Sequence, residues 1–177
     1  MKDAEELKDI QDNLTNEQRR IANFWSDGVG TPTPPGHWNR FASDAILDSR
    51  YNPLRTARTF AYLNMAIQDA GISTWDTKYY YHYPRPSQAI PGFKTILGIP
   101  NFPSYTSGHS TFSAAAATVL GHIFPNRKSQ FDAWALEASV SRIYGGIHYR
   151  FDTEVGLETG TLIGNYSIAV AQADGAE

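Results

Sequence analysis

The stretch Phe102-Pro103-Ser104-Tyr105-Thr106-Ser107-Gly108-His109-Ser110-Thr111-Phe112 opens an alanine-rich helical segment, Thr111 to Phe124. Pro103 and the small residues around Gly108 read as a loop that delivers Ser, Gly and His to the first turn of that helix. The free N–H groups and the dipole of a first turn attract anions. Gly108 would let the backbone approach a bound ion, Ser107 adds a hydroxyl, and His109 adds a proton carrier. Ser107 also fits an ordinary helix cap, so the stretch alone does not distinguish a site from a cap.

Outward from this helix the chain reads as helical throughout. Residues 3–13 carry Leu7 and Ile10, with Leu14 just beyond, on one stripe, and Thr15 to Gln18 has the form of a capping box before a helix to about Ser26. Asp27 to Gly36 is rich in Gly and Pro and reads as a loop, with a helix restarting at His37. Asn52-Pro53 starts a helix that Gly71 should stop, and Ser73 should cap another to about His82. Residues 84–107 form a long connection of the kind that usually carries function. Residues 129–144 form a helix ended by Gly145-Gly146, and Asp152 reads as the cap of the last one. No segment alternates as a strand. The expectation is an all-α chain of about seven or eight helices, a single bundle domain over residues 1–177.

Composition narrows the function. Net charge is −3, which argues against general nucleic-acid binding, and the absence of cysteine excludes disulfides, thiolate nucleophiles and zinc-thiolate sites. The most apolar run, Ala114 to Phe124, is interrupted by His122 and is far too short for a membrane span. The acidic N-terminus has no signal-peptide core. A homo-oligomer is compatible with the sequence, and an exported natural protein would carry its leader ahead of this chain.

Two further stretches join the first. In Lys78-Tyr79-Tyr80-Tyr81-His82-Tyr83-Pro84-Arg85-Pro86, a lysine near a helix end and an arginine in a proline-locked turn place two cations at the mouth of the long connection. In Ser141-Arg142, Gly145-Gly146 and His148 to Asp152, an arginine in a last helical turn is followed by a sharp reversal and a histidine. Asp152 could accept a hydrogen bond from His148, fixing its tautomer and freeing its other nitrogen. Three cations, a hydroxyl, a backbone N–H and two histidines suit a highly charged tetrahedral anion held by arginine forks, with in-line displacement between the imidazoles. His37, beside Trp38, reads as a buried, hydrogen-bonded histidine rather than a site residue.

Together the three blocks resemble the type 2 phosphatidic acid phosphatase / vanadium haloperoxidase superfamily. Its pattern of Lys, six residues, Arg-Pro is met by Lys78, Arg85 and Pro86. Its Pro-Ser and Ser-Gly-His are met by Pro103-Ser104 and Ser107-Gly108-His109. Its Ser-Arg, five residues, His, three residues, Asp is met by Ser141, Arg142, His148 and Asp152. Phe24 to Gly28 and Thr31 to Trp38 look like soluble bacterial haloperoxidase members. The resemblance implies that Lys78, Arg85, Ser107, Gly108 and Arg142 bind the oxygens of phosphate or vanadate. His148 would ligate vanadium in a haloperoxidase or be the phosphorylated nucleophile of a phosphatase. His109 would be the acid–base and Asp152 would orient His148. Trp75 and Phe102 match aromatics that line a halide pocket, or are core aromatics. The favoured reading is a vanadate-dependent haloperoxidase using halide and peroxide. An acid phosphatase that needs no cofactor is the alternative, and a non-catalytic oxyanion-binding domain the third.

Overall fold

Helix α6 (Gly108–Ile123) runs through the middle of the molecule. In the computed structural model, which describes residues 2–176, nearly every side chain from Ser110 to Gly121 is buried. Ala114 to Ala117 have no bulk, so neighbouring helices close on α6 from all sides. Those neighbours are α4 (Pro53–Tyr81), α7 (Lys128–Tyr144), α8 (Arg150–Ala173) and α3 (Thr33–Asp48). Helix α2 (Asn16–Phe24) lies on α7, and α1 (Lys2–Asp12) reaches the C-terminal end of α7. There Gln11 Nε2 donates to the Tyr144 carbonyl at 3.0 Å. A single helical turn, α5 (Pro86–Ala89), interrupts the long connection, and a 3-10 turn (Pro125–Arg127) leads into α7. Among the described residues the regular structure is all helical, as expected, and no helix is long and apolar enough to cross a membrane. Met1 and Glu177, the ends of the expected domain, lie outside the described residues.

Helix α8 packs tightest on α6, through Gly156, Gly160 and Gly164 on one stripe of its surface. A Cβ at Gly156 would sit 2.8 Å from Ser110 Cβ and 2.9 Å from the Ser107 carbonyl oxygen. One at Gly160 would run into the Thr111 carbonyl, and one at Gly164 would lie 2.6 Å from Thr118 Cβ. The glycines therefore permit a backbone approach that no other residue allows.

Four expected boundaries move. α4 does not stop at Gly71, nor does a new helix begin at Ser73. Gly71 packs under the Phe112 ring, where its Cβ would lie 3.2 Å from the ring edge, and the left-handed end comes at His82 with φ 47°. α3 begins at Thr33, not His37, because Pro34 and Pro35 fall in its first turn, where no N–H is needed. α6 begins at Gly108, three residues before the expected Thr111. α8 begins at Arg150, so Asp152 is the third residue of the helix and not its cap.

Candidate active site

The first turn of α6 and the start of α8 meet through their backbones: Ser107 N–H donates to the Asp152 carbonyl at 2.9 Å. Ser107 is the N-cap of α6, its hydroxyl accepting from Ser110 N–H at 3.3 Å and from Ser110 Oγ at 3.0 Å. The cap reading of Ser107 is thus realised. The first-turn N–H groups of Gly108 and His109 have no intrahelical carbonyl to reach. Trp75 covers Gly108, with the indole 3.5 Å from the position a Cβ would take.

Lys78 lies in the last turn of α4 and is completely buried. Its ammonium donates to the carbonyls of Pro103 (2.9 Å), Ser104 (2.8 Å) and Thr106. It therefore braces the loop that precedes α6, and a bound oxyanion would share its protons with that loop. Burial, and then the Arg85 charge, push Lys78 down to about 7. Arg85 donates Nε to the Phe102 carbonyl at 2.9 Å and Nη1 to the Ile147 carbonyl at 2.6 Å. The same Nη1 lies 3.4 Å from His148 Nε2. Arg142, from the last turn of α7, donates Nη2 to the carbonyls of Trp25 (2.6 Å) and Ala22 (3.3 Å). Burial lowers Arg85 to about 10 and Arg142 to about 9.

His148 follows the Gly145-Gly146 reversal, where Gly146 has φ 73°. Its Nδ1 is 2.9 Å from Asp152 Oδ2. The same carboxylate oxygen accepts from Ser104 Oγ at 2.5 Å and from Tyr149 N–H at 3.1 Å. Burial raises Asp152 to about 6, against the hydrogen bonds from Ser104 and Tyr149. His148 sits well below the ordinary histidine value, through burial first and then the charges of Arg85, Lys78 and Arg142. His109 is also held well below its ordinary value, by burial, then by Arg142 and His148. Arg142 thus acts on both imidazoles, and His148 acts on His109. His109 Nε2 is buried with no hydrogen-bond partner in the structure.

Trp75 and Phe102 pair with ring centroids 5.0 Å apart. The Phe102 ring lies 5.3 Å from Lys78 Nζ and 5.2 Å from the Arg85 guanidinium carbon, while Trp75 also touches Phe112 of the core. The two aromatics thus join core to cationic cluster. Two residues went unassigned in the sequence reading. Ser104 holds Asp152, and its place in the Pro103-Ser104 pair was its signal. Asp27, whose Oδ2 lies 3.9 Å from His109 Nε2, had no local signal, because only folding brings it there. His37 is a largely buried histidine hydrogen-bonded to Asp27, as expected for it.

Residues 58–175 match the family model described as the PAP2 superfamily. Vanadium chloroperoxidase of Curvularia inaequalis is 25% identical over 150 residues, covering 66% of this chain and 25% of that protein. A non-specific acid phosphatase of Salmonella typhi is 27% identical over 124 residues, covering 66% of this chain and 49% of that protein. The crystal structure titled as the first bacterial vanadium-dependent iodoperoxidase superposes with a TM-score of 0.87 at 32% identity, covering 95% of this chain and 48% of that one. The chain thus spans between a quarter and a half of the length of these relatives.

Proposed function

The chain belongs to the PAP2 superfamily, and we propose that it is a vanadium-dependent haloperoxidase that oxidises a large, weakly hydrated halide with hydrogen peroxide. The observation that carries this reading is the Trp75–Phe102 pair, which lays an apolar wall beside Lys78 and Arg85. Such a wall suits a soft anion that sheds water easily, and suits a bulky polar phosphoester poorly. The likeness of fold to an iodoperoxidase supports it.

The residues fit vanadate. Arg85 lies 3.4 Å from His148 Nε2, the charges of buried Lys78 and Arg142 also reach that imidazole, and the Nε2 of His109 is buried without a partner. Lys78, Arg85, Arg142, Ser107 and Gly108 would hold its oxygens, and His148 Nε2 would bind its vanadium. When bound, vanadate supplies a Lewis-acidic centre that activates peroxide toward halide without changing oxidation state. The chain does the rest. Asp152 holds the His148 proton on Nδ1 and so keeps Nε2 a free base. His109, which burial keeps from holding a proton, takes one at Nε2 from the incoming hydrogen peroxide and returns it to the departing hypohalous acid. The aromatic wall keeps water off the halide.

A second reading is a phosphatase in which His148 Nε2 attacks phosphorus and His109 protonates the leaving oxygen. The sequence similarity to a non-specific acid phosphatase favours it. Halogenation of a phenolic dye with iodide or bromide, by apo and vanadate-loaded protein, beside hydrolysis of an aryl phosphate, separates the two. Vanadate-dependent halogenation with weak hydrolysis is expected. Strong hydrolysis by the apo protein without halogenation would transfer the assignment to the phosphatase.

A further inference from the structure

His37 donates toward a carboxylate that faces the candidate acid–base. Its Nδ1 lies 3.1 Å from Asp27 Oδ2 and 3.2 Å from Oδ1, a forked contact across both oxygens. Asp27 Oδ2 in turn lies 3.9 Å from His109 Nε2, beyond hydrogen-bond length but within ion-pair reach. All three side chains are largely withdrawn from solvent, at 11%, 8% and 16% exposure in the order His37, Asp27, His109.

The geometry of the donor is fixed from outside. The His37 ring is wedged between Phe24, Trp25 and Phe41, with centroids 5.0, 4.7 and 4.8 Å away. Asp27 itself adopts φ 40°, in the left-handed region, directly after α2 and the Trp25 carbonyl that Arg142 grips. Aspartate tolerates that conformation better than most residues. The groups facing His109 are Asp27, Arg142, His148, His37 and the Trp25 carbonyl. Arg142, His148 and His37 resist a second positive charge there, and the Asp27 carboxylate, 3.9 Å away, is the negative group within ion-pair reach. Nothing in the oxyanion cage explains why a histidine should clamp that carboxylate.

We propose that His37 is a positioning residue for His109, acting through Asp27. The inference rests on the reading of His109 as the acid–base of an oxyanion site. By clamping both carboxylate oxygens, His37 keeps Asp27 pointed at His109 Nε2 when that nitrogen gains a proton. Without the clamp, Arg142 is the remaining cation facing Asp27 and draws the carboxylate away.

The test is a double-mutant cycle. His37→Phe keeps an aromatic ring in the slot and removes the donor, and His37→Asn restores an N–H near the place of Nδ1. His37→Phe should lower kcat about tenfold, with KM and the affinity for inorganic phosphate unchanged within about twofold. His37→Asn should recover most of the loss, and His37→Phe should add nothing in an Asp27→Asn background. If the Phe ring destabilises the fold, His37→Gln, judged against Asp27→Asn, replaces it in the cycle. A readout free of turnover is the NMR titration of the His109 ring in phosphate-bound protein. Its midpoint should fall in both Asp27→Asn and His37→Phe. Full kcat and an unmoved His109 midpoint in His37→Phe, with His109→Ala inactive, overturn the proposal and leave the site reading intact. Full turnover in His109→Ala overturns both.

Discussion

Asp152 Oδ2 stands 2.9 Å from His148 Nδ1, one helical turn on, and collects Ser104 Oγ and the Tyr149 N–H on the same oxygen. One carboxylate oxygen thus fixes an imidazole, a loop hydroxyl and the start of α8. Groups that orient a reacting histidine are commonly worth 10- to 100-fold. Asp152→Asn should therefore lower kcat by about 10–100-fold while the protein stays folded. Steady-state kinetics with a melt on the same sample checks this, and a kcat within about twofold of the parent would remove Asp152 from the orienting role.

The same residue gives a pH signature. Its folded value, about 6, lies above the ordinary 3.8. A raised value means that the stability it contributes is fully present below the unfolded value and is lost as pH rises through about 6. Asp152→Asn lacks this titration. The parent should hold its greatest Tm advantage over the variant near pH 4, and that advantage should shrink or reverse by about pH 7. Thermal melts across the range would show it, and a gap that widens with pH would contradict the raised value.

Arg142 contributes both to anion binding and to packing. Arg142→Ala should weaken phosphate or vanadate binding about 10- to 100-fold, the size of one or two lost charge-assisted hydrogen bonds. It should also cost about 1–3 kcal/mol of stability, because the Ala22 and Trp25 carbonyls lose their donor. Arg142→Lys, which keeps charge without the fork, should fall between. Calorimetric titration with phosphate decides, and unchanged affinity in the alanine variant would take Arg142 out of the cage.

Gly156→Ala places a methyl against Ser110 Cβ and the Ser107 carbonyl. Overpacking of this kind costs about 1–3 kcal/mol. Because the displaced turn is the first turn of α6, affinity for the oxyanion should fall along with Tm. Gly98→Ala, with nothing within 4 Å of the new methyl, is the control and should change neither. Loss of Tm with full affinity would show that the turn holds its shape without α8.

Local chemistry was legible in the sequence wherever a few neighbouring residues decide the outcome. The Thr15–Gln18 capping box forms both of its hydrogen bonds, and Asn52 caps α4 through Arg55 N–H. The three blocks of candidate site residues could be picked out because each is contiguous, and the fold brings their cations and imidazoles into one another's fields. What could not be read depends on partners far along the chain. Gly71 has the look of a helix stop and is a packing glycine, because Phe112 lies over it. Pro34 and Pro35 look like loop residues, yet a first helical turn accepts them. Asp152 was expected at a cap, but Tyr149 takes that place. Asp27 sits in a turn like any other aspartate until His37 and His109 fold onto it.

The grip of Arg142 on Trp25 and Ala22 spans 117 and 120 residues of chain. The guanidinium that would hold an oxyanion is thus aimed by carbonyls of α2 and its C-cap, a segment that bears none of the three motif blocks. Grafting those blocks onto a foreign helical bundle would transplant the charges without the backbone that points them. A variant trimmed to begin at Tyr51 would keep Lys78, Arg85, Arg142 and both imidazoles, and would leave the Arg142 fork held through Nε by Ser141 Oγ but without the two carbonyls that fix Nη2. Inheritance of the motifs and inheritance of the reaction are, for this architecture, separable events.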